Sequence, residues 1–113
     1  MDILIHAAWY VNPKDYLVSN KNFECLNGTI NLAKVALECN VKKFVGIGTC
    51  FEYDTDAKYL SVNTQLSPKL LYSACKASVY LTLSRFFYLS KTKFKWCRVF
   101  YLYGENENPQ RLY

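Results

Sequence analysis

The chain has 113 residues, enough for one modest domain and no more. Hydrophobic residues make up 51%, aromatics 17% and charged residues 20%, which excludes a disordered or fibrous polypeptide, since disorder needs low hydrophobicity with high net charge. No apolar run approaches the ~20 residues of a membrane span, and no signal-peptide pattern opens the chain. A soluble cytoplasmic protein without a membrane partner is expected.

The net charge of +5 comes from scattered basic residues, apart from a loose cluster at Lys91, Lys93 and Lys95. A nucleic-acid binder would gather them on one stripe or helix face, so no nucleic-acid partner is expected. Five cysteines, Cys25, Cys39, Cys50, Cys75 and Cys97, form no C-x-x-C pair and are odd in number. Each has apolar sequence neighbours, where a free Cys behaves as a small hydrophobe. This usage fits a reducing compartment, with no disulfide framework and no zinc site.

Ile3-Leu4-Ile5 is a continuous apolar run, the mark of a strand buried on both faces. A loop follows around Asn12-Pro13-Lys14-Asp15. Phe23, Leu26, Ile30, Ala33 and Leu37 then recur at helical spacing. Gly28 costs that helix about 1 kcal/mol relative to Ala, and a tight helix–sheet contact would explain it. Asn40 marks the expected helix end, and Phe44-Val45-Gly46-Ile47-Gly48 a second buried strand. Asp54 to Ser67 is polar and turn-prone, a long surface loop. Pro68 suits the first turn of a helix capped by Ser67. That helix runs to about Leu89, with Leu71, Cys75, Val79, Leu83 and Phe86 on one side. A third strand spans Phe94 to Phe100, followed by an irregular tail with Gly104, Asn106, Asn108 and Pro109. Strands alternating with long helices predict an α/β fold, a partial Rossmann-like parallel sheet of β-α-β-α-β order over residues 1–113. Three strands leave both sheet edges unprotected.

Open parallel sheets bind ligands beyond the carboxyl ends of their strands. Here those places are His6-Ala7-Ala8, Thr49-Cys50, and Tyr101-Leu102-Tyr103-Gly104. Small residues such as Ala7, Ala8 and Gly48 would let a flat ligand approach the backbone. Tyr72 and Lys76 stand four residues apart on one face of the second helix. A lysine ammonium so placed favours tyrosinate, so the Tyr72 pKa is expected to fall and the residue to serve as a general acid or base. Thr49, at a strand end, could hold the same substrate oxygen. Tyr-x-x-x-Lys spacing arises by chance in a chain with 10 tyrosines, and Tyr10 and Lys14 also show it. Pro13 interrupts that pair in a loop, whereas Tyr72 and Lys76 lie on a helix that follows a hydroxyl-ended strand.

Four segments together carry a resemblance. They are Asp2-x-x-Ile5-His6-Ala7-Ala8, Gly46-x-Gly48-Thr49-x-x-x-Tyr53, Tyr72-Ser73-Ala74-Cys75-Lys76 and Arg98-x-Phe100-x-x-Tyr103-Gly104. In this order the chain resembles the extended short-chain dehydrogenase/reductase family, the NAD-dependent epimerases, dehydratases and reductases that act mostly on nucleotide sugars. The phrase Gly48 to Tyr53 is most similar to its nucleotide-sugar 4-ketoreductase branch. The resemblance implies a catalytic set of Thr49, Tyr72 as acid/base, and Lys76 as the residue that lowers the tyrosine pKa and holds the nicotinamide ribose. It implies that His6, Ala7, Ala8, Tyr72, Lys76 and Phe100 contact a bound NAD or NADP. It also implies a nucleotide-sugar substrate and a homodimer formed through the long helices. Tyr101 stands where family members often carry Asn.

The family's Gly-rich pyrophosphate loop needs ~30 residues of strand, turn and helix, and only Met1 and Asp2 precede the first strand. Phe51 fills the third glycine position after Gly46 and Gly48. The chain thus looks like the middle of such an enzyme. The alternative is a non-catalytic remnant or interaction module without cofactor binding of its own. His6 is equally a packed strand-end residue, Trp9 and Trp96 read as core, and Arg98 reads as structural.

Overall fold

The computed structural model of the chain describes residues 1–57 and 59–107. Three parallel strands, β1 (Ile3–His6), β2 (Lys43–Thr49) and β3 (Lys93–Val99), form one sheet in the order β1-β2-β3. Helix α1 (Lys21–Glu38) connects the first pair and α2 (Leu71–Tyr88) the second. A 3-10 turn, Cys50–Glu52, follows β2 directly. The partial Rossmann-like α/β order expected from the sequence is the observed one. The end of the predicted tail, Asn108 and Pro109, lies outside the described residues.

Both helices cover the same face of the sheet. Ala33 and Ala36 of α1 meet Phe44 of β2 and Val79, Leu83 and Phe87 of α2 in a single buried cluster. Phe44, Phe87 and Phe94 pack ring against ring at 5.5–6.3 Å, pairs worth about 0.5–1.5 kcal/mol each beyond their burial. The α2 stripe is the predicted one up to Leu83. It ends on Phe87, and Phe86 is left 37% exposed.

The buried face of α1 is rotated by about one residue from the predicted stripe. Asn22, Thr29, Ala33 and Ala36 are buried, while Phe23 is exposed. Polar groups can take this face because each finds a partner. The Asn22 amide donates to the carbonyls of Tyr16 and Ser19, and the Thr29 hydroxyl donates to the carbonyl of Cys25. The helix ends as expected at Asn40. This residue has φ 54°, and the amides of Asn40 and Val41 return to the carbonyls of Leu37 and Ala36, a Schellman closure.

Helix α2 begins at Leu71, later than Pro68 suggested. Ser67 is not its cap: it lies four residues before Leu71, and its amide donates to the Glu52 carbonyl at 2.8 Å. Ser73 takes over at the new start: its hydroxyl accepts from the Leu70 amide and donates to the Leu70 carbonyl.

The glycines differ from expectation. A Cβ at Gly28 would meet nothing within 4 Å, so no tight packing explains that residue. A Cβ at Gly46 or Gly48 would collide with the Trp96 indole, and at Gly48 with the Glu52 carboxylate too. Gly48 therefore makes room for side chains of its own fold, not for a ligand against the backbone.

Glu52 is fully buried. It accepts from the Thr49 amide (2.9 Å), the Trp96 indole N–H (3.0 Å) and Arg98 Nε (2.8 Å). The Arg98 guanidinium lies over Tyr80 at 4.3 Å and Tyr53 at 5.1 Å. Burial disfavours its charge, but the Glu52 carboxylate holds its pKa above the ordinary value. The sequence reading of Arg98 as structural agrees with this ion pair.

Two stability measurements follow. Gly28→Ala should raise stability by about 1 kcal/mol, from helix propensity alone; a loss on thermal unfolding would show that Gly28 has a packing role. Arg98→Met leaves a buried carboxylate without its cation and should cost about 3–5 kcal/mol, read as a lower denaturant midpoint. A change under 1 kcal/mol would mean that the pair contributes little.

Candidate functional site

The carboxyl ends of β2 and β3 open into a cavity of about 440 Å³, within the size range of small-ligand sites. Thr49, Cys50, Tyr72, Phe100 and Tyr101 line it, joined by Tyr16 from the loop before α1. Thr49 is the last residue of β2, and its side chain accepts from the Phe51 amide at 3.3 Å. The reciprocal bond from the Thr49 amide to Glu52 closes a capping box. Local sequence and a buried carboxylate thus fix the hydroxyl at the strand end.

Tyr72 enters from the first turn of α2. Its amide donates to the Leu17 carbonyl at 3.1 Å, and its ring meets Tyr16 edge-on at 5.0 Å and Trp9 at 6.4 Å. Burial pushes the Tyr72 pKa above its ordinary value, with the Thr49 side chain acting in the opposite sense. This corrects the expectation of a lowered value, and the position of Lys76 explains why. Lys76 Nζ donates to the Ile47 carbonyl at 2.7 Å and sits over the Trp9 ring at 4.1 Å. It is 6.0 Å from the centre of the Tyr72 ring. Lys76 is only 4% exposed, and burial lowers its pKa to about 8 against the pull of Glu52.

Of the predicted cofactor contacts, Tyr72 and Phe100 line the cavity, together with Thr49. His6 does not. Its Nε2 pairs with the Thr29 hydroxyl at 2.7 Å, and because that hydroxyl donates to Cys25, His6 is the donor. Burial and the nearby Lys76 charge lower the His6 pKa, which favours the neutral ring. This is the packed strand-end arrangement. Ala7 and Ala8 are exposed beyond β1, outside the cavity lining.

Cys50 is buried, and that burial is the chief cause of a thiol pKa above its ordinary value. All five cysteines are free. Cys39 and Cys97 are exposed, not packed as their apolar sequence neighbours suggested. Among the described residues no group of His, Cys, Asp or Glu could hold a metal ion, and no helix is long and apolar enough to cross a membrane.

Three contributors escaped the sequence reading. Glu52 stood unremarked inside the phrase that ends at Tyr53. Its signal was an acidic residue three positions after Thr49, the capping-box spacing. Asn22 takes the Trp9 indole N–H on its side-chain oxygen at 2.8 Å and so fixes Trp9 over Lys76. Tyr16 carried no local signal, because a loop connects it to the site.

The model of the NAD dependent epimerase/dehydratase family matches residues 1–113. Among solved structures, UDP-N-acetylglucosamine 4-epimerase from Methanobrevibacter ruminantium superposes with a TM-score of 0.81 at 20% identity, covering 96% of this chain and 37% of that one. A double mutant of dTDP-glucose 4,6-dehydratase from Streptomyces venezuelae, with NAD bound, gives 0.80 at 23% identity, covering 98% and 35%. The Bordetella bronchiseptica enzyme WbmG, in complex with NAD and UDP, gives 0.65 at 21%, covering 85% and 30%. The chain thus spans about a third of the length of these structures. No curated protein matches it by sequence at a significant level. With that family's model matching from Met1 to Tyr113, the chain belongs to the NAD-dependent epimerase/dehydratase family.

Proposed function

We propose that this chain contributes the catalytic middle of an NAD(P)-dependent epimerase, dehydratase or reductase acting on a nucleotide sugar, with Thr49, Tyr72 and Lys76 as its reactive set. The observation that carries this reading is the shared cavity: Thr49 and Tyr72 line one recess at the carboxyl ends of parallel strands, where open α/β sheets take their ligands. Structural relatives with NAD, UDP or a UDP-sugar bound support the same substrate class.

The residues lining the recess suit the nicotinamide end of the cofactor, with Tyr72, Thr49 and Phe100 around it. The bound dinucleotide would supply the hydride acceptor or donor. Thr49 would hydrogen-bond the reacting sugar oxygen, and Tyr72 would exchange a proton with it. The raised pKa of Tyr72 keeps the phenol protonated at neutral pH, so in this geometry it is set to donate to a carbonyl oxygen. For Tyr72 to act as a base, Lys76 would have to leave the Ile47 carbonyl and Trp9 and turn its charge toward the phenolate. The sequence contains no G-x-x-G-x-x-G run, so the pyrophosphate loop would come from residues outside this segment. A cytoplasmic location and a homodimer through α1 and α2 belong to the same reading, with Phe23, Val35 and Leu81 exposed on those helices.

The alternative is a non-catalytic module. The engagement of Lys76 with the Ile47 carbonyl and the Trp9 ring favours it. The two readings separate on Tyr72→Phe in the assembled enzyme. Turnover should fall by about 10²–10⁴-fold, the usual contribution of a general acid, while NAD(P)H binding by fluorescence stays within about twofold. Unchanged turnover would remove Tyr72 from the reaction, and a wild-type assembly with neither turnover nor saturable NAD(P)H binding would support the module.

The depressed Lys76 pKa makes a separate prediction. Between about pH 8 and the ordinary lysine value of 10.5, the folded lysine is neutral while the unfolded one is still protonated. The unfolded state then binds more protons, so this group makes stability rise with pH. The difference between wild type and Lys76→Met should therefore move by about 2–3 kcal/mol in favour of wild type from pH 8 to pH 10. A flat difference would mean that Lys76 is charged and solvated in the fold.

A further inference from the structure

Trp9 links the two helices inside the chain, at the Tyr72 end of the sheet. Its indole N–H donates to the Asn22 side-chain oxygen at 2.8 Å, and Asn22 is fully buried on α1. The Asn22 amide nitrogen donates to the carbonyls of Tyr16 (2.7 Å) and Ser19 (2.9 Å). With both N–H donors committed to the loop, the amide oxygen is left facing Trp9. The indole is thereby fixed in place.

The fixed indole covers Lys76. Lys76 Nζ lies 4.1 Å from the centre of the Trp9 ring and 6.0 Å from that of Tyr72, and it donates to the Ile47 carbonyl at 2.7 Å. Among aromatic faces, that of Trp holds a cation best. The same ring stands edge-on to Tyr72 at 6.4 Å, so one indole packs against both residues. Tyr72 and Lys76 are one helical turn apart on one face of α2, a spacing at which side chains meet. The indole and the Ile47 carbonyl compete with the phenol for the ammonium.

We propose that Trp9 is a positioning residue, which keeps the Lys76 ammonium at the Ile47 carbonyl and so leaves Tyr72 a proton donor and not a base. This inference rests on the proposed role of Tyr72 and deepens it, because the residue that selects between acid and base then lies outside the reactive set. The other ionisable groups around the pair come from every neighbouring element. Glu52 and Cys25 act on Lys76, and His6 of β1 lies within reach of the Lys76 charge. Tyr16, Glu52 and Cys50 act on Tyr72, and each opposes a tyrosinate there, while the Thr49 side chain favours one. A fall in the Tyr72 pKa therefore needs either a closer Lys76 charge or a loss of burial, and the two causes can be separated.

The test uses the full chain and reads titration by NMR, not turnover. It can therefore fail while the proposed function stands, and unchanged turnover in Tyr72→Phe would not alter its result. Tyrosines are labelled with carbon-13 at Cζ, and the Tyr72 resonance is assigned by its loss in Tyr72→Phe. Trp9→Met should lower the Tyr72 midpoint by at least about one pH unit, tenfold in its ionisation constant. Trp9→Phe, which keeps an aromatic face, should lower it less. The fall should vanish when Lys76→Met is added to Trp9→Met. In the unmutated chain, the Lys76 ε-methylene protons should resonate upfield of those of every other lysine, shielded by the indole above them. The proposal is overturned if the midpoint does not fall, if Trp9→Phe acts as strongly as Trp9→Met, or if Lys76 shows no upfield displacement. It is also overturned if the midpoint falls as far without Lys76, which would mean that the indole only buries Tyr72.

Discussion

One buried carboxylate organises the end of the sheet where the candidate site lies. Glu52 reaches back from the 3-10 turn to the Thr49 amide and across to Trp96 and Arg98 on β3. A fully desolvated carboxylate is costly, and a paired one is only weak evidence for stability. Its consequence here is geometric. It ties the last residue of β2 to the neighbouring strand and sets the turn on which the Thr49 hydroxyl is displayed. Gly46 and Gly48 belong to the same arrangement, because a side chain at either would meet the indole that Glu52 anchors.

The second constraint is aromatic. Trp9, hooked to the buried Asn22 side chain, lies against Lys76, while Tyr16 and Trp9 both meet Tyr72. Burial then acts on the two titratable residues in opposite directions: it raises the phenol and lowers the ammonium. The same desolvation thus favours the neutral form of each, although Lys76, at about 8, still carries its charge at neutral pH. Tyr72 and Lys76 thus stand side by side, in a geometry where Lys76 is engaged with backbone and indole.

Much of the fold could be read from the chain because its signals are local. The apolar runs of β1 and β2, the helical spacing of Cys75, Val79 and Leu83, and Asn40 at the end of α1 each lead to the observed element. The errors arose where a distant partner decided. Phe23 yields the buried face to Asn22 because Asn22 satisfies two loop carbonyls. Ser67 is tied to the Glu52 carbonyl through its amide, and α2 starts only at Leu71. For the site, Thr49 and Tyr72 were legible from strand-end position and helix context. The direction of the Tyr72 shift was not, since it depends on where Lys76 points and how deeply both groups are buried.

The central claim, that the Glu52 carboxylate fixes the Thr49 turn, is most directly tested by hydrogen exchange on the native chain. The Thr49 amide and the Trp96 indole N–H both donate to that carboxylate, so they should exchange as slowly as the inner amides of β2. Exchange of either proton at the rate of the amides in the 54–67 loop would contradict the account.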